Sequence, residues 1–436
     1  MPGIETPTAK RIFDMLMQSQ FWTAGQLKAF QQSQLQQLLS HAHEQVPFYK
    51  NRLDAVLMKN GEINWSRWHD IPILTRNDLL HARETMQATE LPESHGRRSD
   101  HWSSGTTGVA VTVTYNALAA IAAGAASHRA NQWHGTDWSK TITDCSRGGA
   151  TFALWPEGQN NGTWGPNWSD KSTGTFWSIN RQVTPEQLCR FLVQKNSSYL
   201  TCRPQTAHAA ALEALRLNIK VSLDAIFCHG TGITDEARHD CKAAFGAKMV
   251  SMYSTTECHK IAHPCPASGK YHVNDELNLV EIVDDQGKPC PVGIAGRVIV
   301  TPFYATAQPL IRYDQGDIAV VGEKCSCGRT LSVLDKIIGR STDLFRLPDG
   351  RRLSLVVPPA LKIELGAEGW QLAQVAPLVF EVRYVAGATP APSAKNNIIS
   401  NMREQMGSNI TVRFVKLDKP LLGADGKFSE TVCELP

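Results

Sequence analysis

The run Ser103-Ser104-Gly105-Thr106-Thr107-Gly108 packs four hydroxyls and two glycines into six residues. Glycine lets backbone approach an anion with no Cβ in the way, and hydroxyls with backbone N–H groups donate to phosphate oxygens. No lysine follows Gly108 directly, so the GxxxxGK[ST] phosphate loop is absent and this loop would work with donors and a metal rather than a point charge. Four clusters follow it in the chain. Met252-Tyr253-Ser254-Thr255-Thr256-Glu257 sets an aromatic face, hydroxyls and a carboxylate side by side, suited to stacking a base, donating to a phosphate and coordinating Mg²⁺. Arg312-Tyr313-Asp314-Gln315-Gly316-Asp317 places a carboxylate after a glycine turn, where it can accept from two ribose hydroxyls. Gly339-Arg340-Ser341-Thr342-Asp343 and Gly426-Lys427 complete the series. Taken singly, each fits an ordinary turn, a surface Asp, an exposed Arg or a solvated Lys, and their order is more telling than any one of them.

A second constellation is Cys265, His272, Cys325 and Cys327. Two thiolates one residue apart share one side of a tight loop, with Gly328 behind them to permit the turn. With a distant Cys and His they make a closed tetrahedral set for structural Zn²⁺, with no open position for water. Cys258, His259 and His263 are rival ligands, and Cys265 and His272 also fit unrelated loop positions.

The elements that must position these residues alternate along the chain. Residues 8–53 carry apolar positions at helical spacing and end in the extended turn Val46-Pro47-Phe48-Tyr49. Asp70 to Leu79 reads as a loop entering a helix, Val109 to Tyr115 as a strand, and Leu118 to Gln132 as an alanine-rich helix. Strand and helix signals then alternate from Ser198 to Tyr253, the pattern of an α/β layer sheet. Leu279–Val283, Gly296–Thr301 and Ile318–Val321 predict a smaller antiparallel sheet, and after Asp343 a hairpin around Pro348-Asp349-Gly350 precedes a helix near Lys395–Met406. The 436 residues, 42% hydrophobic and 19% charged, suffice for two or three domains with apolar cores. A net charge of +3 from 44 basic and 41 acidic residues, without long like-charge blocks, gives no support for nucleic-acid or membrane-surface binding. The start MPGIETPTAKRIF carries no apolar h-region, and eleven scattered cysteines do not form a small-domain disulfide framework; both predict a cytoplasmic protein with reduced thiols.

In order, these segments resemble those of the adenylate-forming superfamily, and within it the phenylacetate:CoA ligase-like family. Ser103–Gly108 resembles its SSGTTG loop, Tyr253–Glu257 its YGSTE-like segment, Arg312–Asp317 its RYRTGD-like segment and Gly339–Asp343 its GRSDD-like hinge; Leu38–Leu53 and Ile71–Leu79 also look like this branch. The resemblance implies an α/β fold with a large multi-sheet N-terminal domain (1–342), a hinge near Asp343 and a small mobile α+β C-terminal domain (344–436). It implies ATP, Mg²⁺ and CoA as cofactors. Ser103, Ser104, Thr106 and Thr107, with Gly105 and Gly108, would wrap the β and γ phosphates. Tyr253 would lie beside adenine, with Ser254, Thr255 and Gly230 also at the nucleotide; Thr256 would contact the α-phosphate and Glu257 would hold Mg²⁺. Asp317 would bind ribose, Arg340 ribose or phosphate, and Lys427 would reach in from the C-terminal domain as the catalytic cation. The acid pocket is expected near Phe152, Trp155 and His229, and the crowding of Trp133, Trp138, Trp155, Trp164, Trp168 and Trp177 favours an aromatic or heteroaromatic acid, although core packing is the plainer reading of most of these rings. The implied reaction is acyl-adenylate formation with pyrophosphate release and transfer to CoA. Transfer to a carrier-protein thiol or an amine is the alternative, a nucleotide-binding module without catalysis the reading from another class, and a homodimer is left open. Departures from the family pattern are Ser254 and Thr255 in place of Gly and Ser, Gln315 beside the turn, His229 and Thr231 in the GGE-like turn, and a thin match around Lys427.

Overall fold

The computed structural model describes residues 6–103, 111–340, 345–348, 352–353, 355, 357, 361, 364–367, 369–387, 389–418 and 431–435. Helices α1 (Thr6–Ser19) and α2 (Ala24–Gln45) open the chain, and a capping box between Thr23 and Gln26 starts the second. A second such box, Thr75 with Asp78, starts the short helix α3 (Arg76–His81). Strands β1 (Arg98–Trp102) and β2 (Thr112–Asn116) pair antiparallel on either side of the Ser/Thr/Gly segment, and α4 (Ala117–Trp133) follows, its alanine face buried.

Alternation then builds a six-stranded sheet. Its elements are β3 (Ile142–Asp144), β4 (Gln159–Thr163), β5 (Thr175–Ser178), α5 (Pro185–Gln194), β6 (Tyr199–Cys202), α6 (Pro204–Leu217), β7 (Ala225–Cys228), α7 (Asp235–Phe245) and β8 (Lys248–Ser251). The order is β4-β5-β3-β6-β7-β8, parallel except for β4 at the edge. All four residues of β7 are buried, as expected of a strand covered on both faces. Leu188, Phe191, Ala207, Ile226, Cys241 and Phe245 pack one such layer.

The chain continues into β9 (Tyr253–Thr255), β10 (His259–Pro264), β11 (Tyr271–Val273), β12 (Asn278–Val283), β13 (Ala295–Pro302), β14 (Tyr313–Val321) and β15 (Val333–Arg340). These form an antiparallel sheet in the order β12-β13-β14-β15-β11-β10-β9. Arg312, with φ of 53°, enters β14 buried, and its guanidinium holds the carbonyls of His69 (2.9 Å) and Ile71 (2.8 Å) and the Glu281 carboxylate (3.2 Å). This residue of the RYRTGD-like segment therefore anchors the 69–71 loop. A fully buried ion pair, Arg129 to Glu276 at 2.7 Å, ties α4 to the turn before β12; Arg129 also bonds Leu16 O and Asn274, and Glu276 accepts from Ser19, so α1 joins the knot.

Beyond residue 344, β16 (Phe345–Arg346) and β17 (Arg352–Leu353) form a hairpin. Strands β18 (Gly369–Ala376), β19 (Val379–Val385), β20 (Thr411–Lys416) and β21 (Thr431–Cys433) make a sheet in the order β20-β19-β18-β21, and α8 (Pro392–Met406) packs Ile398 and Met402 with Phe380 and Val382 in a separate core. No described helix is long and apolar enough to cross a membrane.

Candidate active site

The Ser/Thr/Gly segment begins at a closed base. Ser103 N–H donates to Val111 O (2.8 Å), and Ser103 Oγ accepts from Val111 N–H (3.0 Å). Residues 104–108 lie outside the described residues, so the expectations for Ser104, Gly105, Thr106, Thr107 and Gly108 do too, as do those for Lys427 and Asp343. Ser103 Oγ also accepts from Arg76 Nη2 (3.3 Å), and Arg76 Nη1 reaches Glu257 Oε1 (3.2 Å). Glu257 is only 5% exposed, so its charge is met by a guanidinium in a setting where bare water cannot do so.

A second knot lies next to it. Tyr253 Oη donates to Asp317 Oδ2 (2.7 Å), and Arg340 pairs with Asp317 Oδ1 (3.2 Å) while donating to Gln315 O (2.7 Å). Burial pushes the Asp317 carboxyl above the usual Asp range, opposed by Arg340 and the Tyr253 hydroxyl and reinforced by Glu257. The same burial raises the Tyr253 phenol, with Asp317 adding to it. Gly316 turns at a φ of 71°, with its N–H on Asp314 Oδ1 (2.8 Å), which points Asp317 inward. Ser103, Glu257, Asp317 and Arg340, drawn from four separate segments, thus meet through Arg76, Tyr253 and one another. Gln315, a departure from the family pattern, donates to Cys258 Sγ (2.6 Å) and is buried structure.

A cavity of about 550 Å³ opens beside this cluster at the carboxyl ends of β3, β6, β7 and β8. Such sheet ends are where open α/β sheets bind ligands. Its lining includes Gly230, Ser254, Thr255 and Thr256, the apolar Ile142, Trp164 and Phe176, and the polar groups of His229, Asp144, Arg147 and Lys260. Burial lowers the His229 imidazole, with Asp144 opposing and Lys260 and Arg203 adding to the effect, so it is neutral near pH 7. Phe152 and Trp155 do not line this cavity: Trp155 packs near Phe191 (6.5 Å between centroids), and the Phe152 carbonyl accepts from Asn180. Trp164 and Phe176 line it, brought there by β4 and β5 folding back to the sheet edge. Of the other tryptophans, Trp133 donates to Gln20 (2.7 Å), Trp168 packs on Phe13 and Trp177 on Phe191.

The four thiol and imidazole residues come together elsewhere. Ligand atoms of Cys265, His272, Cys325 and Cys327 all lie within 4.8 Å of one another. Cys325 Sγ to Cys265 Sγ is 3.7 Å and His272 Nε2 to Cys327 Sγ 3.2 Å. Zn–S bonds of about 2.3 Å in a tetrahedron put sulfurs about 3.8 Å apart, so the donor set fits zinc. Burial lowers His272 to about 4, which keeps it a neutral ligand. Burial opposes ionisation of Cys325, yet hydrogen bonds from Ser268 and Cys327 bring it down to about 7. The rivals are engaged apart from this set: Cys258 with Gln315, His259 against the Tyr115 ring (3.7 Å), and His263 on Asn274 (3.2 Å).

No family model matches the chain. A phenylacetate-coenzyme A ligase of Thermus thermophilus is 26% identical over 331 residues, covering 73% of this chain and 71% of the relative. The fold is that of a 2-hydroxyisobutyryl-CoA ligase solved with its acyl-AMP in the postadenylation state, with a TM-score of 0.69 at 16% identity over 96% of this chain and 93% of that one. The chain thus carries the fold of the adenylate-forming superfamily, with a sequence likeness to one of its ligases. An anthranilate CoA ligase in complex with anthranoyl-AMP, another protein of this superfamily, aligns with a TM-score of 0.53 at 16% identity, over 78% of this chain and 67% of its own length.

Outside the motif series lie Asp144, Arg147 and Lys260 of the cavity lining and, at the Glu257 cluster, Arg76. Its only trace was the position of Asp70–Leu79 as a loop entering a helix.

Proposed function

We propose that this chain is an AMP-forming acid:CoA ligase acting on an aromatic or heteroaromatic acid. The observation that carries the reading is the meeting of Ser103, Glu257, Asp317 and Arg340 beside a cavity lined by Gly230, Thr256 and His229. An oxygen of the acid's carboxylate attacks the α-phosphorus of ATP, the bond to the bridging oxygen breaks, and pyrophosphate leaves. The CoA thiol, losing its proton, then attacks the acyl carbon and AMP departs. Such transfers need positioning and charge neutralisation rather than a protein nucleophile. Thr256 donates at the α-phosphate, and Asp317, fixed by Tyr253 and Arg340, keeps lone pairs for ribose hydroxyls. Glu257 offers the hard oxygen that Mg²⁺ takes, and Mg²⁺ when bound neutralises phosphate charge. Ser104–Gly108 hold the outgoing pyrophosphate, and Lys427, on a mobile domain beyond a hinge near 343, supplies the cation between carboxylate and phosphate. Cys265, His272, Cys325 and Cys327 hold structural Zn²⁺, and the protein works in the cytoplasm.

The test is carboxylate-dependent ATP–pyrophosphate exchange over aromatic and aliphatic acids, repeated with CoA, a carrier protein and simple amines as acceptors. Exchange with an aromatic acid, completed by CoA, supports the reading. Silence across the panel with AMP still bound supports a nucleotide-binding module instead.

A further inference from the structure

Lys260 brings a cation to the site cavity. It stands in β10 directly opposite Ser254 in β9, and opposed residues of an antiparallel pair send side chains to one face of the sheet. Both line the cavity. The groups that feel the ammonium are three imidazoles, His229, His259 and His263, each made harder to protonate by it. Burial alone acts on Lys260 itself, pulling its pKa down with no carboxylate to restore it. Among the described residues no ion pair is formed by Lys260. The cavity's carboxylate, Asp144, caps the Ser146 N–H (3.0 Å), and its charge acts on His229. A half-buried charge without a partner carries a desolvation cost, and a ligand anion is what removes that cost.

The remaining surfaces say what such a ligand looks like. Thr256, read above as the α-phosphate contact, shares the cavity with Ile142, Trp164 and Phe176, which offer apolar surface. We propose that the acid activated here carries a second anionic group, which Lys260 receives while the first carboxylate reacts and the apolar body lies against Trp164 and Phe176. This rests on the ligase reading given above.

Full-length protein is assayed by ATP–pyrophosphate exchange with benzoate and phenylacetate against isophthalate, terephthalate and phenylenediacetate. Wild type is compared with Lys260→Met and Lys260→Arg. The best diacid is expected to exceed its parent monoacid in kcat/KM by about 10- to 100-fold, the factor a hydrogen bond to a charged group supplies. In Lys260→Met that ratio falls to within about threefold, and Lys260→Arg keeps most of it. Equal turnover of mono- and diacids by wild type overturns the proposal and leaves the ligase reading standing. So does an equal loss for both classes in Lys260→Met, which would place the lysine on the reacting carboxylate. If no acid supports exchange, the ligase reading fails and the proposal of an activated diacid falls with it.

Discussion

Arg76→Met tests whether Glu257 is built to hold a cation. The guanidinium lies 3.2 Å from Glu257, with side chains 22% and 6% exposed, and 3.3 Å from Ser103. Methionine keeps length and apolar contact but leaves a buried carboxylate without that positive neighbour. Breaking a fully buried pair costs about 3–5 kcal/mol, and the partial exposure of Arg76 brings the expectation to about 2–3 kcal/mol. At about 1 °C per kcal/mol for a chain of 436 residues, the melting temperature in EDTA should fall by about 2–3 °C. Mg²⁺ with ATP puts a cation back on the same carboxylate, so at saturation the deficit should shrink by about 1 kcal/mol or more through ligand linkage. Thermal and urea unfolding followed by tryptophan fluorescence, in EDTA and in Mg²⁺ with ATP, measure both numbers. A loss below about 0.5 kcal/mol, or the same deficit in both conditions, would refute the assignment of Glu257 as the cation-holding carboxylate.

Three further expectations follow from the packing. Arg129→Met should cost about 3–5 kcal/mol by stranding Glu276, while Arg129→Met with Glu276→Leu should recover most of it; urea midpoints that rank the double variant below the single would contradict the buried-pair account. Protein purified without added metal should carry about one equivalent of zinc, and Cys325→Ser should lower both zinc content and melting temperature; under about half an equivalent in the wild type argues against the site. Because burial raises Asp317, the folded state holds its proton where the unfolded chain has released it, so the stability this group contributes is full below about pH 4 and is lost as pH rises through the raised folded value. Asp317→Asn should therefore gain on wild type across that window in unfolding experiments, and a pH-independent difference would show that the carboxyl is not shifted.

The sheets were legible because their strands carry clear signatures. The buried run Ala225–Cys228 and the alternation from Ser198 to Tyr253 read as parallel layers, and the β-branched segments from Leu279 onward as an antiparallel sheet. Within the site, chemistry-bearing segments could be named from residue types, but their partners could not. Arg76 meets Ser103 and Glu257 across 27 and 181 residues, a distance over which no local pattern extends. The cavity wall illustrates the same limit. Gln159–Thr163 is polar and exposed and does not read as a strand, yet its pairing with β5 carries Trp164 and Phe176 to the cavity, which Phe152 and Trp155 do not line. Lys260 belongs to none of the motif segments, and only the β9–β10 register sets it opposite Ser254.

The central claim, that the acid is activated as an adenylate, is tested most directly by following its oxygens. With an accepted acid whose carboxylate oxygens are isotopically labelled, thioester formation should leave one labelled oxygen in AMP, because that oxygen forms the bond to the α-phosphorus and departs with it. Label appearing in inorganic phosphate alongside ADP, or thioester formed with AMP free of label, would contradict it.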